Sequence, residues 1–154
     1  MKKMRKKQIK TVKNTPPCKQ KSVLPEWMEQ ENVALHLRYN YPTTEILWSA
    51  SASGMRTTIG VARKMKRMGL NRGVPDIMIF KPKYDEKNNV IYFGLFIEMK
   101  TEIGILSEEQ KHWIDKLNKE GYLAVVCRSS NEAINVIDNY MKLSDVNIQK
   151  GKVK

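Results

Sequence analysis

Apolar residues recur along this chain at two periods, and the switches between them divide it into eight elements. From Pro25, a favourable first helical residue, Trp27, Gln30, Ala34, Leu37 and Tyr41 follow at three- and four-residue steps. They predict a helix over about residues 25–40, ended by Pro42. Glu45 to Ala50, with Ile46, Leu47 and Trp48, predicts a short strand, and the small residues Ser51-Ala52-Ser53-Gly54 a loop. A second helix, about Arg56 to Met68, stops at Gly69, which tolerates the left-handed backbone of a helix end; Ile59, Ala62 and Met65 form its apolar stripe. Apolar runs over residues 75–81 and 90–100 read as antiparallel strands joined by the polar Lys83–Asn89 connection. Ser107-Glu108-Glu109-Gln110 is a capping-box pattern, opening a helix that carries Trp113, Ile114 and Leu117 and ends near Gly121. Leu123 to Cys127 predicts a fourth strand, and Asn131 to Met141 a last helix with Ile134, Ile137 and Met141 inward. The strand-helix-strand passage from 90 to 127 requires a crossover between parallel strands. The expected fold is α/β, a central mixed four-stranded sheet with helices on both sides.

Two of the strands end in charge. Gly73-Val74-Pro75-Asp76 leads into Ile77-Met78-Ile79-Phe80, and Leu95-Phe96-Ile97-Glu98-Met99-Lys100 closes the next. Side chains alternate along a strand, so Glu98 and Lys100 project with Phe96, while Leu95, Ile97 and Met99 point the other way. Removing an isolated charge from water costs several kcal/mol or more, so charges on core strands have partners or bind metal. Asp76, on the neighbouring strand, is the expected partner. The bland alternatives are a strand-entry aspartate and exposed cross-strand pairs, the latter worth less than about 1 kcal/mol each. The apolar flanks argue against exposure.

Length and charge narrow the picture further. At 154 residues the chain supplies one ordinary core. Nine of its 28 basic residues and none of its 16 acids fall within residues 1–22, so most of the net charge of +12 sits in this leader. The division expected is a basic leader over 1–22, a folded domain over 23–143 and a basic tail over 144–154. The leader has no apolar core and does not read as a signal peptide, and no stretch is long enough to span a bilayer. Its charge run reads as a solvated tail, a nucleic-acid-binding arm, or both. Arg56 to Arg72 also contains no acid, and Arg56, Arg63, Lys66, Arg67 and Arg72 make the second helix and its exit a candidate nucleic-acid surface. Cys18 and Cys127 form no CxxC pair, and His36 and His112 lack metal-ligand spacing, which fits a reducing, intracellular setting without zinc or a disulfide framework.

Two carboxylates from adjacent strands converging with one lysine are the minimum kit of a metal-assisted phosphodiester hydrolase. Mg²⁺ takes one or two carboxylates and leaves its other positions to water and phosphate, so Asp76 and Glu98 suffice. Lys100 would orient or deprotonate the attacking water, or stabilise the transition state. Burial pushes its pKa down and nearby carboxylates push it up, a balance open at this level.

In order and context these residues resemble the PD-(D/E)xK nucleases, and more closely their virus-type replication-repair branch, the VRR-NUC domain. The resemblance runs over about residues 26–141. It is carried by Gly73-Val74-Pro75-Asp76, Gly94 to Thr101 with its Glu98-Met99-Lys100, Leu106-Ser107-Glu108-Glu109-Gln110, Trp113, Gly121-Tyr122 and Val125-Val126-Cys127-Arg128. It implies a PD-(D/E)xK nuclease-like fold, Asp76 and Glu98 as metal-binding acids, the Met99 carbonyl as a further ligand and Lys100 as the catalytic lysine. It also implies a role for Gln110 in orienting substrate or water. A capping role would compete with that one, since a single glutamine is not expected to serve both. An acid on the first helix belongs to the pattern, with Glu26 the best fit and Glu29 and Glu31 close by. Related chains carry an Asn-Gly-Gly-like turn where this one has Ser53-Gly54-Met55.

The function implied is a Mg²⁺- or Mn²⁺-dependent endonuclease acting on DNA, selective for branched or Holliday-junction forms, as a homodimer in the cytoplasm of a bacterium or encoded by a phage. A non-catalytic DNA-binding module and an RNase using the same site stand as rivals. If the leader is an arm, removing residues 1–22 will lower DNA affinity and flatten its salt dependence by about 0.9 log-log units per lost phosphate contact. Fluorescence anisotropy titrations across a salt series will show this, and an unchanged slope rejects the arm.

Overall fold

A computed structural model describes residues 24–51, 57–143 and 145. The leader, the tail apart from Asp145, Arg56 and the Ser53-Gly54-Met55 turn lie outside them. The elements run α1 (Glu26–Asn40), β1 (Trp48–Ala50), α2 (Ile59–Arg67), β2 (Ile77–Ile79), β3 (Lys83–Tyr84), β4 (Val90–Tyr92), β5 (Leu95–Met99), α3 (Glu108–Lys119), β6 (Leu123–Cys127) and α4 (Ser130–Lys142). The main sheet has the order β1-β2-β5-β6. β2 pairs antiparallel with β1 and β5, while β5 and β6 are parallel. This is the mixed four-stranded sheet expected from the β5-α3-β6 crossover.

The alternation along β5 divides the core. Leu95, Ile97 and Met99 join Ile77 and Ile79 beneath Val33 and Leu37 of α1 and Ala133, Ile137 and Tyr140 of α4. Phe96 turns to the other side, with Leu117 of α3 and Ala124. Helices therefore cover both faces, and β5 is buried at every position.

Three sequence expectations shift. On α1 the buried positions are Val33, Ala34 and Leu37, while Trp27 is 63% exposed, so the inward stripe starts a turn later than Trp27. On α4 they are Ser130, Ala133, Ile137 and Tyr140, which leaves Ile134 and Met141 half-buried at the edge of the stripe. α2 begins at Ile59, where the Thr58 hydroxyl accepts the Val61 N–H, and it buries nothing. Of its apolar stripe, Ile59, at 73%, and Ala62 are exposed and Met65 is half-buried.

The strand expected over 90–100 is two strands. Val90–Tyr92 pairs with Lys83–Tyr84 in a separate two-stranded sheet, and the main strand resumes at Leu95. The break falls at Gly94, where a Cβ would lie 2.7 Å from the Ile79 carbonyl oxygen, so the backbones approach too closely for any other residue. The little hairpin places Lys83 in the interior. This fully buried ammonium donates to the carbonyls of Met141 and Leu143, both at 2.9 Å, and to Asp145 at 2.7 Å, fastening the end of α4.

The loop before β2 is docked on the start of α3. The Trp113 indole N–H donates to the Arg72 carbonyl at 2.9 Å. Gly73 has φ +83°, and a Cβ there would lie 2.6 Å from the Glu109 backbone carbon. Conformation and contact both demand glycine. Gly73→Ala is expected to destabilise the fold by about 2 kcal/mol or more in urea unfolding. A loss below about 0.5 kcal/mol would show that the loop does not rest on α3.

Candidate active site

Sheet register is what brings the acids together. Ile77 lies across from Ile97, so one residue further out Asp76 faces Glu98. Asp76 Oδ2 accepts the Met99 N–H at 2.8 Å, bridging the gap between the two strand ends. On its other side β5 continues into the parallel pair through the Lys100 N–H, which donates to the Cys127 carbonyl at 2.9 Å. Asp76, Glu98 and Lys100 are buried at 4%, 1% and 6% exposure.

The partner of Lys100 is not Asp76, as the strand pattern had implied. Its Nζ donates to Glu98 Oε1 at 2.7 Å, to the Met99 carbonyl at 2.9 Å and to Glu26 Oε1 at 3.2 Å. Asp76 is held by a backbone N–H instead and acts on Lys100 only through its charge. Of the three first-helix acids, Glu26 faces the cluster. Glu29 turns away to accept the Ser130 N–H at the head of α4, and Glu31 is exposed.

Gln110 caps its helix and reaches the acid cluster with the same amide. Its Oε1 accepts the Ser107 N–H at 2.9 Å, while the Ser107 hydroxyl accepts the Gln110 N–H at 3.2 Å, closing the capping box. Its Nε2 donates to Glu98 Oε1. The two ends of one amide are divided between the helix cap and the buried carboxylate, so the cap itself aims the donor at Glu98.

Burial and mutual repulsion leave this cluster wanting positive charge. Desolvation pushes Glu98 up to about 7, against the lowering pull of the Lys100 hydrogen bond and with a further push from Asp76 and Glu26. Asp76 is also raised, by burial first, with the Met99 N–H and Lys100 opposing. At Lys100 burial works downward, but the hydrogen bonds and charges of Glu98 and Glu26 outweigh it, and its pKa rises. Ligand oxygens of Glu26, Asp76 and Glu98 lie within 4.8 Å of one another. Three carboxylates against one ammonium, offering only oxygen, fit a hard divalent cation.

The VRR-NUC domain model matches residues 15–131. The chain belongs to the VRR-NUC family. A solved VRR-NUC domain protein shares the fold with a TM-score of 0.62 at 30% identity, over 79% of this chain and 92% of its own. No curated protein matches the chain. As a VRR-NUC domain it belongs to a nuclease-type family, for which DNA is the substrate class indicated, and its mixed sheet is the nuclease-like architecture.

The described basic residues singled out in the sequence as a nucleic-acid surface form no hydrogen bond or ion pair with the acid cluster. Arg63, Lys66 and Arg67 of this VRR-NUC domain line a shallow surface depression on α2, and Arg72 lies in the loop beyond, its carbonyl taken by Trp113. No described helix is long and apolar enough to cross a membrane. Sequence reasoning missed Gln30, whose Nε2 donates to the carbonyls of Ser51 at 3.2 Å and Asp76 at 3.4 Å. The signal was available, since Gln30 was the one polar residue on the α1 stripe.

The divided glutamine gives a test. Gln110→Glu keeps an acceptor for the Ser107 N–H but sets a carboxylate against Glu98, whereas Gln110→Ala removes both interactions. Both variants are expected to alter divalent-ion affinity by calorimetry, and the alanine variant, which loses the cap, to lose about 1 kcal/mol of stability. Equal ion affinity in all three proteins would mean that Gln110 is a cap alone.

Proposed function

We propose that this chain is a metal-dependent endonuclease that hydrolyses DNA phosphodiester bonds. The observation that carries the reading is the convergence of Glu26, Asp76 and Glu98 on one point, with Lys100 paired to Glu26 and Glu98, at the end of a fully buried strand. In this reading Asp76 and Glu98, joined by Glu26, hold Mg²⁺ or Mn²⁺, Lys100 is the catalytic lysine, and Gln110 orients Glu98. Bound there, the ion supplies Lewis acidity, making water a better nucleophile and offsetting charge that grows on the phosphoryl group.

The chain's own residues account for the rest. Glu98 is fixed by Lys100 and Gln110, and Asp76 by the Met99 N–H, so the acids need little reorganisation when substrate arrives. The Lys100 ammonium provides positive charge beside the place where the transition state becomes more negative. The Met99 carbonyl accepts from Lys100 here, and its second lone pair is the one a metal would take.

DNA is held in this proposal by Arg63, Lys66, Arg67 and Arg72 acting on backbone phosphates, extended by Arg56 and the leader. The proposal extends to branched, four-way DNA cut inside the cell by a homodimer. A two-fold dimer would set one site on each strand of a two-fold junction. The exposed Ile59, Val61, Met68 and Leu70 on and just after α2 support a second copy docking there.

Asp76→Asn is expected to abolish cleavage of DNA in Mg²⁺ while leaving affinity within a few-fold, and Ca²⁺ in place of Mg²⁺ to preserve binding and suppress turnover in the parent protein. Gel-based cleavage of matched linear, flap, single-stranded and four-way DNA, with an RNA control, measures both activity and selectivity. Cleavage that persists in excess chelator would overturn the metal reading. Binding without cleavage under every condition would leave the DNA-binding module, and cleavage of RNA alone the RNase.

A further inference from the structure

The segment between β5 and α3 presents two large apolar side chains that the proposed chemistry does not use. The Gly104 N–H donates to the Thr101 carbonyl at 3.0 Å, closing a tight turn through Glu102 and Ile103. One guanidinium nitrogen, Nη1 of Arg128, lies 2.9 Å from the carbonyl oxygens of Thr101 and Glu102 and 3.0 Å from that of Gly104. Three carbonyls of the turn thus share one guanidinium nitrogen, which holds the turn as a frame. Gly104 rests on the catalytic lysine, where a Cβ would lie 3.2 Å from Lys100 Cδ. The segment starts at Lys100 and leads to Gln110, so both its ends are fastened to Glu98.

On this frame Ile103 is 89% exposed and Ile105 86%. Turns favour glycine, asparagine, aspartate and serine, and a β-branched apolar residue at the tip gains nothing locally. The neighbouring charges narrow what the pair can meet. Glu102 and Glu109 are exposed acids, Glu108 is paired with Lys111 at 2.7 Å, and Arg128 directs its Nη1 at the turn's own carbonyls. With no basic residue from Thr101 to Gln110, the segment itself offers the DNA backbone no cation. What apolar side chains at the rim of a phosphodiesterase site can accept from DNA is the faces of its bases.

We infer that Ile103 and Ile105 form a wedge that enters the base stack beside the phosphate to be cut, making an unstacked step the substrate feature that this site selects. The inference rests on the nuclease reading above. Proteins kink DNA by inserting side chains of this kind between base steps, and opening a step costs least where bases are already unpaired. Branch points and flap junctions meet that condition and continuous duplex does not.

The test compares the full-length parent with the double variant Ile103→Ser/Ile105→Ser on linear duplex and on a four-way or flap substrate of the same sequence. The ratio of kcat/KM for branched over linear DNA is expected to fall roughly five- to tenfold in the variant. In Ca²⁺, 2-aminopurine placed next to the cut position should brighten when the parent binds and stay quenched with the variant. An unchanged ratio together with unchanged brightening would overturn the wedge while leaving the nuclease proposal standing. A parent that cleaves no DNA would overturn both. A shift in the oligomeric state of the DNA-free variant by light scattering would also overturn the wedge, giving the two isoleucines to an interface between copies.

Discussion

The structure turns on one buried ion pair, Glu98 with Lys100, placed where a completely enclosed strand runs out. A buried pair is a poor source of stability, because desolvating two charges costs about as much as their attraction returns. Its presence imposes conditions on everything nearby. Each buried proton must find a partner, and the three of Lys100 do, in Glu98, Glu26 and the Met99 carbonyl, while Glu98 Oε1 also receives the Gln110 amide. No buried polar side-chain atom among the described residues lacks a partner. The site is thus preorganised by the same hydrogen bonds that make its burial tolerable.

That requirement ties distant parts of the chain to one point. α1 delivers Glu26, the β2 entry Asp76, β5 the pair itself, and the α3 cap Gln110. The entry loop is fitted against α3 through Gly73 and Trp113, so the two elements that flank Glu98 also set each other's position. α2, by contrast, buries no residue and carries its basic side chains on a helix with little attachment to the core. The acids thus sit on core elements and the basic residues on a peripheral one, the division expected where chemistry needs fixed geometry and binding needs reach.

Much of this was legible in the residues. The switches of hydrophobic period located the four helices and the four strands of the main sheet, and the crossover from β5 to β6 required the mixed sheet. Where the reading slipped, long-range contact had overridden local pattern. Trp27 shares the α1 stripe by spacing but stays exposed among the described residues. The α2 stripe has helical period, yet none of it is buried among the described residues. The 90–100 run looks continuous, yet Gly94 must yield to the Ile79 carbonyl and the strand breaks.

By itself the sequence determined the kinds of groups present and their order: an aspartate after proline, a glutamate and lysine two apart on one face of a core strand, and a serine-glutamine cap downstream. These follow from alternation and from the cost of burying charge, which are local rules. Which groups meet was decided only by tertiary structure. Strand register set Asp76 opposite Glu98, helix packing chose Glu26 over Glu29, and the angle of α3 let one amide serve a cap and a carboxylate together. Those outcomes depend on distances between elements far apart in the chain, and no local period encodes such distances.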